Sequence, residues 1–310
     1  MQKPTAAKRR HKLRTYAPLY VLTIPGLLYL LVNNYLPMFG LVIAFKDVNF
    51  SKGIFASDWI GFKNFEYLFR SSDAYIITRN TLLYNAVFIA LNLVVAVGLA
   101  ILLNEIKNKL MARFYQSVVL LPYLISMVIV SYLGYALLSM DNGFLNKTVL
   151  PSLGIESISW YNEAAYWPYI LTIVHTWKGV GFLCVVYLAA IIGIDQEYYE
   201  AATLDGASKG QQIRSITLPL ITPVIIMMTL LAIGRIFYSD FGLFYQVPMD
   251  SGSLFNVTNV IDTYVYRGLM QLGDIGMSSA AGMYQSLVGF VLVLFSNYVV
   301  RKINRENALF

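Results

Sequence analysis

Six times along this chain, apolar residues run on for about 20 positions or more. That length crosses ~30 Å of hydrocarbon when a helix rises about 1.5 Å per residue. The runs cover 16–45, 81–103, 114–138, 168–194, 218–238 and 278–300. Hydrophobic residues make up 57% of the 310 positions and charged residues 13%, against about 25% charged in an ordinary soluble domain. Mean hydropathy is +0.60. Such a chain cannot cover itself with polar surface, so lipid is its solvent. The expectation is an all-α integral membrane protein with six transmembrane helices. Barrel strands are excluded, because they alternate and are about 10 residues long.

The first run follows a basic segment, 1–15, with Lys3, Lys8, Arg9, Arg10, Lys12 and Arg14. That pairing resembles a signal peptide, but the run is too long for one and further spans follow. It reads as an uncleaved helix that bends or ends near 36, where Pro37 and Asn33–Asn34 fall. Between the first two spans, 61–70 (GFKNFEYLFR) places Phe62, Phe65, Leu68 and Phe69 at helical spacing. It suits either an interfacial helix or one packed on neighbouring loops.

Orientation follows from Lys and Arg. With the N-terminus inside, the segments 1–15, 104–113, 195–217 and 301–310 hold 14 of them in 58 positions, and the outside segments hold 7 in 102. This asymmetry places both termini in the cytoplasm. It also accounts for the net charge of +6 without nucleic acid. The single cysteine, Cys184, excludes an intramolecular disulfide and a multi-cysteine metal site.

The longest polar passage among the inside segments is the loop 195–217. Asp195 can cap a helix and Glu197 suits its first turn. Ala201 and Ala202 leave a smooth face, and Gly206 is a natural stop. Ser208 and Gln211 form a capping-box pattern that starts a second helix. The product is a helix–turn–helix elbow between spans four and five.

Glu200-Ala201-Ala202-Thr203-Leu204-Asp205-Gly206-Ala207, followed by Ile216-Thr217-Leu218-Pro219, resembles the EAA loop of binding-protein-dependent ABC importer permeases. Glu200, Gly206, Ile216, Leu218 and Pro219 stand at that motif's spacings. Trp59 to Phe69 resembles the family's first external loop. Trp177-Lys178-Gly179-Val180-Gly181-Phe182, Tyr187-Leu188-Ala189-Ala190 and Asp262 to Arg267 resemble the branch that serves oligosaccharides and polysaccharides. The resemblance implies that 16–310 is a six-helix permease domain in a bacterial cytoplasmic membrane. It implies that the elbow is a coupling helix, docking through Glu200, Ala201, Ala202, Asp205, Gly206, Ala207, Leu218 and Pro219. The implied partners are a second six-span permease subunit, two ATP-binding subunits that carry ATP and Mg, an extracellular solute-binding protein and an oligosaccharide.

Charges inside the spans need a reason, since each costs about 2.5–3.5 kcal/mol mid-bilayer on insertion scales. Lys178 and Arg235 either line a water-filled path or find other partners: a snorkelling exit for Arg235, and backbone carbonyls or another subunit for Lys178. The candidate substrate path is His175, Trp177, Lys178, Tyr187, Arg235, Tyr238 and Asp240. Aromatic faces stack on sugar rings, and polar groups meet hydroxyls. Tyr132, Tyr135, Phe237 and Tyr245 lie at similar depth. No P-loop, HExxH, CxxC or GxSxG pattern occurs. The chain is therefore expected neither to hydrolyse ATP nor to hold a metal. A secondary transporter driven by an ion gradient is the rival. It predicts acidic residues within spans and internal repeats, and spans two, three, four and six have no Asp or Glu.

Overall fold

The structure, a computed structural model, describes residues 6–70 and 72–303. The start of the basic tail, 1–5, and the C-terminal segment 304–310 lie outside the described residues. The expected cytoplasmic placement of the termini therefore concerns residues beyond them.

Helix α1, Ala6–Leu30, passes into a π-helical turn at Leu31–Tyr35. A short α segment, Leu36–Met38, and a 3-10 stretch, Phe39–Phe45, complete the first run. The helix was expected to bend or end near 36; instead one helical stretch continues to Phe45, changing from α to π to 3-10 geometry around Pro37, which offers no N–H to it. A two-residue ladder follows, in which β1 (Lys46–Asp47) pairs antiparallel with β2 (Asp58–Trp59). Helix α2, Lys63–Arg70, buries Leu68 and the Asn64 amide. Asn64 Nδ2 donates to the Ala44 and Lys46 carbonyls at 3.0 and 3.1 Å. Of the two readings of this segment, the structure favours packing on neighbouring elements, with Phe62 and Phe69 exposed.

Among the described residues, five helical stretches are long and apolar enough to cross a membrane, and a sixth candidate is broken. Helix α3, Ser72–Asn104, starts nine residues before the expected span at 81. The polar residues of 72–80 are absorbed as its outer turns. The third span was expected as one helix over 114–138. It is instead α4, Lys109–Leu124, and α5, Met127–Leu138, bent by 94° at Ile125–Ser126. Ser126 is extended and its hydroxyl accepts from the Ile129 N–H, so a new helix starts there rather than the old one continuing. Helix α6, Trp167–Ile192, is the fourth span. Helix α7, Gln196–Leu204, and helix α8, Lys209–Ile233, bracket Gly206. Short α9, Phe241–Gln246, and α10, Ile261–Met270, precede α11, Ile275–Ile303.

The bundle is built on α6, which packs against α3 and α4. In lipid, apolar burial gives little net drive, so close van der Waals contact decides which helices pair. Ala96 and Ala100 of α3 meet Cys184, Leu188 and Ile191 of α6 in one buried cluster. Gly181 lies so close to α4 that a Cβ there would overlap the Val119 carbonyl. Toward the other end, Tyr84 and Phe88 pack with Trp167, Leu171 and Phe244. The loop before α10 is tied to α3 by Asn80, which donates to the Asn256 and Asn259 carbonyls at 3.0 and 2.9 Å. The first run, by contrast, is exposed along almost its whole described length.

Candidate functional site

Two features are built on the helices that frame the bundle's centre, a cavity and an elbow. The cavity has a volume of about 190 Å³ and lies between α3, α6 and α8. Asn85, Phe88 and Asn92 of α3 face it at helical spacing, opposite His175 and Tyr187 of α6. Thr229 of α8 closes the third side, with Arg235 and Tyr238 just beyond that helix.

The His175 ring stacks on Phe88, with centroids 3.7 Å apart and planes 8° apart. Its Nε2 is 3.1 Å from Asn92 Nδ2. An amide nitrogen only donates, so with Asn92 in this orientation the imidazole accepts at Nε2. Asn92 Oδ1 is buried and has no hydrogen-bond partner among the described residues. A buried orphan acceptor costs about 1–3 kcal/mol, a cost that a water or a ligand hydroxyl would remove. Asn85 Nδ2 donates to the Ile236 carbonyl at 2.8 Å and fixes the chain where α8 ends. Arg235 is exposed, and its side chain makes no hydrogen bond or ion pair among the described residues. The cavity thus offers a cation, an orphan amide oxygen, an imidazole and aromatic edges. It can hold a polar, hydroxyl-rich molecule.

Of the seven residues expected on a substrate path, His175, Tyr187, Arg235 and Tyr238 line this cavity. Trp177 is half-exposed elsewhere on α6. Lys178 turns to the bend of the third span, where its Nζ donates to the carbonyls of Pro122, Tyr123 and Ile125. The end of α4 leaves the Tyr123 and Ile125 carbonyls without helical partners, while the Pro122 carbonyl also accepts from the Ile125 N–H at 3.3 Å. The carbonyl alternative weighed for Lys178 is the one the structure adopts. Asp240 accepts from the Leu243 N–H at 3.1 Å and caps α9. Phe237 is buried against Tyr284, Tyr245 stacks on Phe241, and Tyr135 packs on Tyr161. Asn85 and Asn92 also line the cavity, and neither was among the residues expected on the path. Their pairing with Phe88 at that spacing was the available signal.

The elbow begins at Asp195, whose carboxylate accepts from the Glu197 N–H at 3.0 Å. It turns at Gly206, whose φ of +80° suits glycine. The Ala207 N–H closes the helix end on the Ala202 carbonyl at 2.9 Å. The capping box is present, with Ser208 N–H donating to Gln211 Oε1 at 2.7 Å. The second limb is not a separate short helix. α8 runs unbroken from Lys209 through a π-helical turn at Ile213–Thr217 to Ile233. Pro219 sits in the first turn after that bulge, and its missing N–H falls where the ladder is already interrupted. Two ties brace the limbs. Gln212 Nε2 donates to Thr203 Oγ1 at 2.9 Å, and the Tyr199 and Thr217 hydroxyls lie 2.9 Å apart. Glu200, Ala201, Asp205 and Gly206 are exposed, Ala202, Ala207 and Leu218 half-buried. Leu204, at 89%, is the most exposed large apolar side chain of the described residues.

A bundle of apolar helices around a small cavity with a few polar groups in its wall, and a braced polar elbow on one of its helices, defines a multi-pass membrane transport protein. The chain belongs to the family described as binding-protein-dependent transport system inner membrane component, whose profile matches residues 92–305. It is 36% identical to Protein LplB of Bacillus subtilis (strain 168), over 93% of this chain and 90% of that protein. It is also 36% identical to the polygalacturonan/rhamnogalacturonan transport system permease protein YteP of the same organism, over 93% and 89%. Among solved structures, a bacterial ABC transporter involved in the import of the acidic polysaccharide alginate aligns with a TM-score of 0.87. The identity is 31%, over 95% of this chain and 98% of that one. A second structure of a bacterial alginate ABC transporter, in complex with an alginate pentasaccharide-bound periplasmic protein, aligns with a TM-score of 0.86. The chain is therefore a permease subunit of an ABC importer, set in the membrane by several spans.

Proposed function

We propose that this permease imports oligosaccharides, as one half of a translocation path completed by a second six-span subunit. A solute-binding protein delivers the sugar outside, and two separate subunits bind ATP and Mg and hydrolyse the ATP. The elbow 195–217 is the docking element for one of them, with the termini on the same, cytoplasmic side. Glu200 is exposed and makes no ion pair among the described residues, so it is free for a basic group of the partner.

The observation that carries this reading is the continuity of α8. One helix starts at the elbow, at Lys209, and reaches the cavity at Thr229. Twenty residues span about 30 Å. A displacement of the elbow therefore reaches the cavity wall through a continuous rod. Closure of the ATP-bound subunits moves the two elbows, the two bundles pass from inward-open to outward-open, and hydrolysis resets them. The related proteins that transport polygalacturonan, rhamnogalacturonan and alginate support a carbohydrate substrate.

The test is Gly206→Asp in the assembled transporter. The new side chain falls at positive φ and adds a carboxylate beside Asp205 on the exposed turn. The permease is expected at wild-type level in the membrane, without the ATPase subunit in a pull-down. Retention of that subunit at wild-type level sinks the docking assignment. Uptake into vesicles that survives ATP depletion but collapses with the proton gradient would favour ion-driven transport instead.

A further inference from the structure

A second groove is larger than the central cavity. It has a volume of about 640 Å³ and runs along the outer faces of α3 and α6. Leu83, Val87 and Leu91 form its floor on α3, and Tyr169 and Ile173 line it from α6. Its walls are almost wholly apolar, with one exception at one end. There, Arg79 is held in place on three sides. Its Nε and one Nη donate to Asn80 Oδ1 at 3.2 and 3.0 Å. The same Nη donates to the Asn256 carbonyl at 3.0 Å, and the guanidinium lies 5.6 Å from the Tyr75 ring centroid. No carboxylate stands within ion-pair distance of it among the described residues. Its other Nη makes no hydrogen bond there.

We propose that this groove is a binding site for one anionic phospholipid. An acyl chain would lie along α3 and the phosphate would meet Arg79. Three features carry the assignment. The groove descends twelve residues from Arg79 to Leu91, about 18 Å of helix, which matches the half-thickness of a ~30 Å hydrocarbon layer. The one charge lies at the end where a headgroup would sit, and its sign is opposite to that of a phosphate. The guanidinium is pre-positioned by Asn80, Asn256 and Tyr75, so little conformational freedom is lost on binding. A partner helix laid in the same groove would have to bring its own carboxylate to the level of Arg79, whereas an anionic lipid already carries its charge there.

The experiment uses the full transporter complex, reconstituted with phosphatidylglycerol and phosphatidylcholine of identical acyl chains. The complex is extracted, and the lipid it retains is weighed by native mass spectrometry. Wild type is expected to retain phosphatidylglycerol over phosphatidylcholine about fivefold, the weight of one cation near an anionic headgroup. Arg79→Gln is expected to bring that ratio to one, and Arg79→Lys to keep most of it. Val87→Trp, which fills the groove, is expected to lower retention of both lipids with the ratio unchanged. An equal ratio in wild type, or an unchanged ratio in Arg79→Gln, overturns the proposal. So does a disulfide in native membranes between a cysteine at Val87 and a second permease subunit.

Discussion

Lys178 shows why a charge inside a span need not belong to a substrate path. Burying an ammonium in lipid is costly, and three carbonyls at a broken helix end offset that cost. Lys178→Met removes the charge but leaves the Tyr123 and Ile125 carbonyls unpaired, at about 1–3 kcal/mol for each that finds no water. The expected outcome is a lower melting temperature of the purified complex with an unchanged KM for uptake. A raised KM at wild-type stability would return Lys178 to the substrate. Arg235 is the contrasting case. Its side chain has no partner among the described residues and lines the cavity, so Arg235→Gln is expected to lower uptake of carboxylate-bearing oligosaccharides more than that of neutral ones of the same length. Equal loss for the two sugars would deny it a role in charge selection. Both cations were candidates for the path on the sequence, Lys178 the stronger of the two. What separates them is a bend at Ser126 that brings backbone carbonyls under Lys178, and a hydropathy pattern does not encode a bend.

Local chemistry made the elbow legible. Asp195, Gly206 and the Ser208–Gln211 box each act on a neighbour within five residues, so residue order alone fixes them. The ties between the limbs were not legible. Thr203 and Gln212 are nine residues apart and Tyr199 and Thr217 eighteen, and their meeting depends on the angle of the turn. Nor did the residues announce that α8 would absorb the second limb, because the π-helical turn lets the chain pass Pro219 without ending. These ties predict a separable defect. Each hydrogen bond is worth about 0.5–1.5 kcal/mol, so Tyr199→Phe with Gln212→Ala loosens the elbow without unfolding it. The double variant is expected to keep its ATPase subunits and their ATP turnover but to import less sugar per ATP. An unchanged ratio of uptake to hydrolysis would show that the ties serve stability alone.

At the scale of the whole molecule, α8 runs from the elbow to the cavity, beside the α3–α6 pair. Composition and span length made the all-helical membrane class legible. The small residues that seat α6 against α3 and α4, Ala96, Ala100 and Gly181, look like ordinary apolar positions until the helices are paired. If α8 transmits motion and the cavity receives solute, the two functions must fail independently. Gly206→Asp removes the motor and leaves the cavity intact. Thr229→Trp should do the reverse, since it drives an indole into about 190 Å³ bounded by Asn92, His175 and Tyr187. The expected Thr229→Trp complex assembles with its ATPase subunits and still responds to the sugar-loaded binding protein with faster hydrolysis, but transports little. Proteoliposome uptake and ATPase rates, measured on the same preparation, check it. Wild-type uptake by that variant would mean that solute passes elsewhere, and loss of the ATPase response would mean that the cavity wall governs docking and not passage.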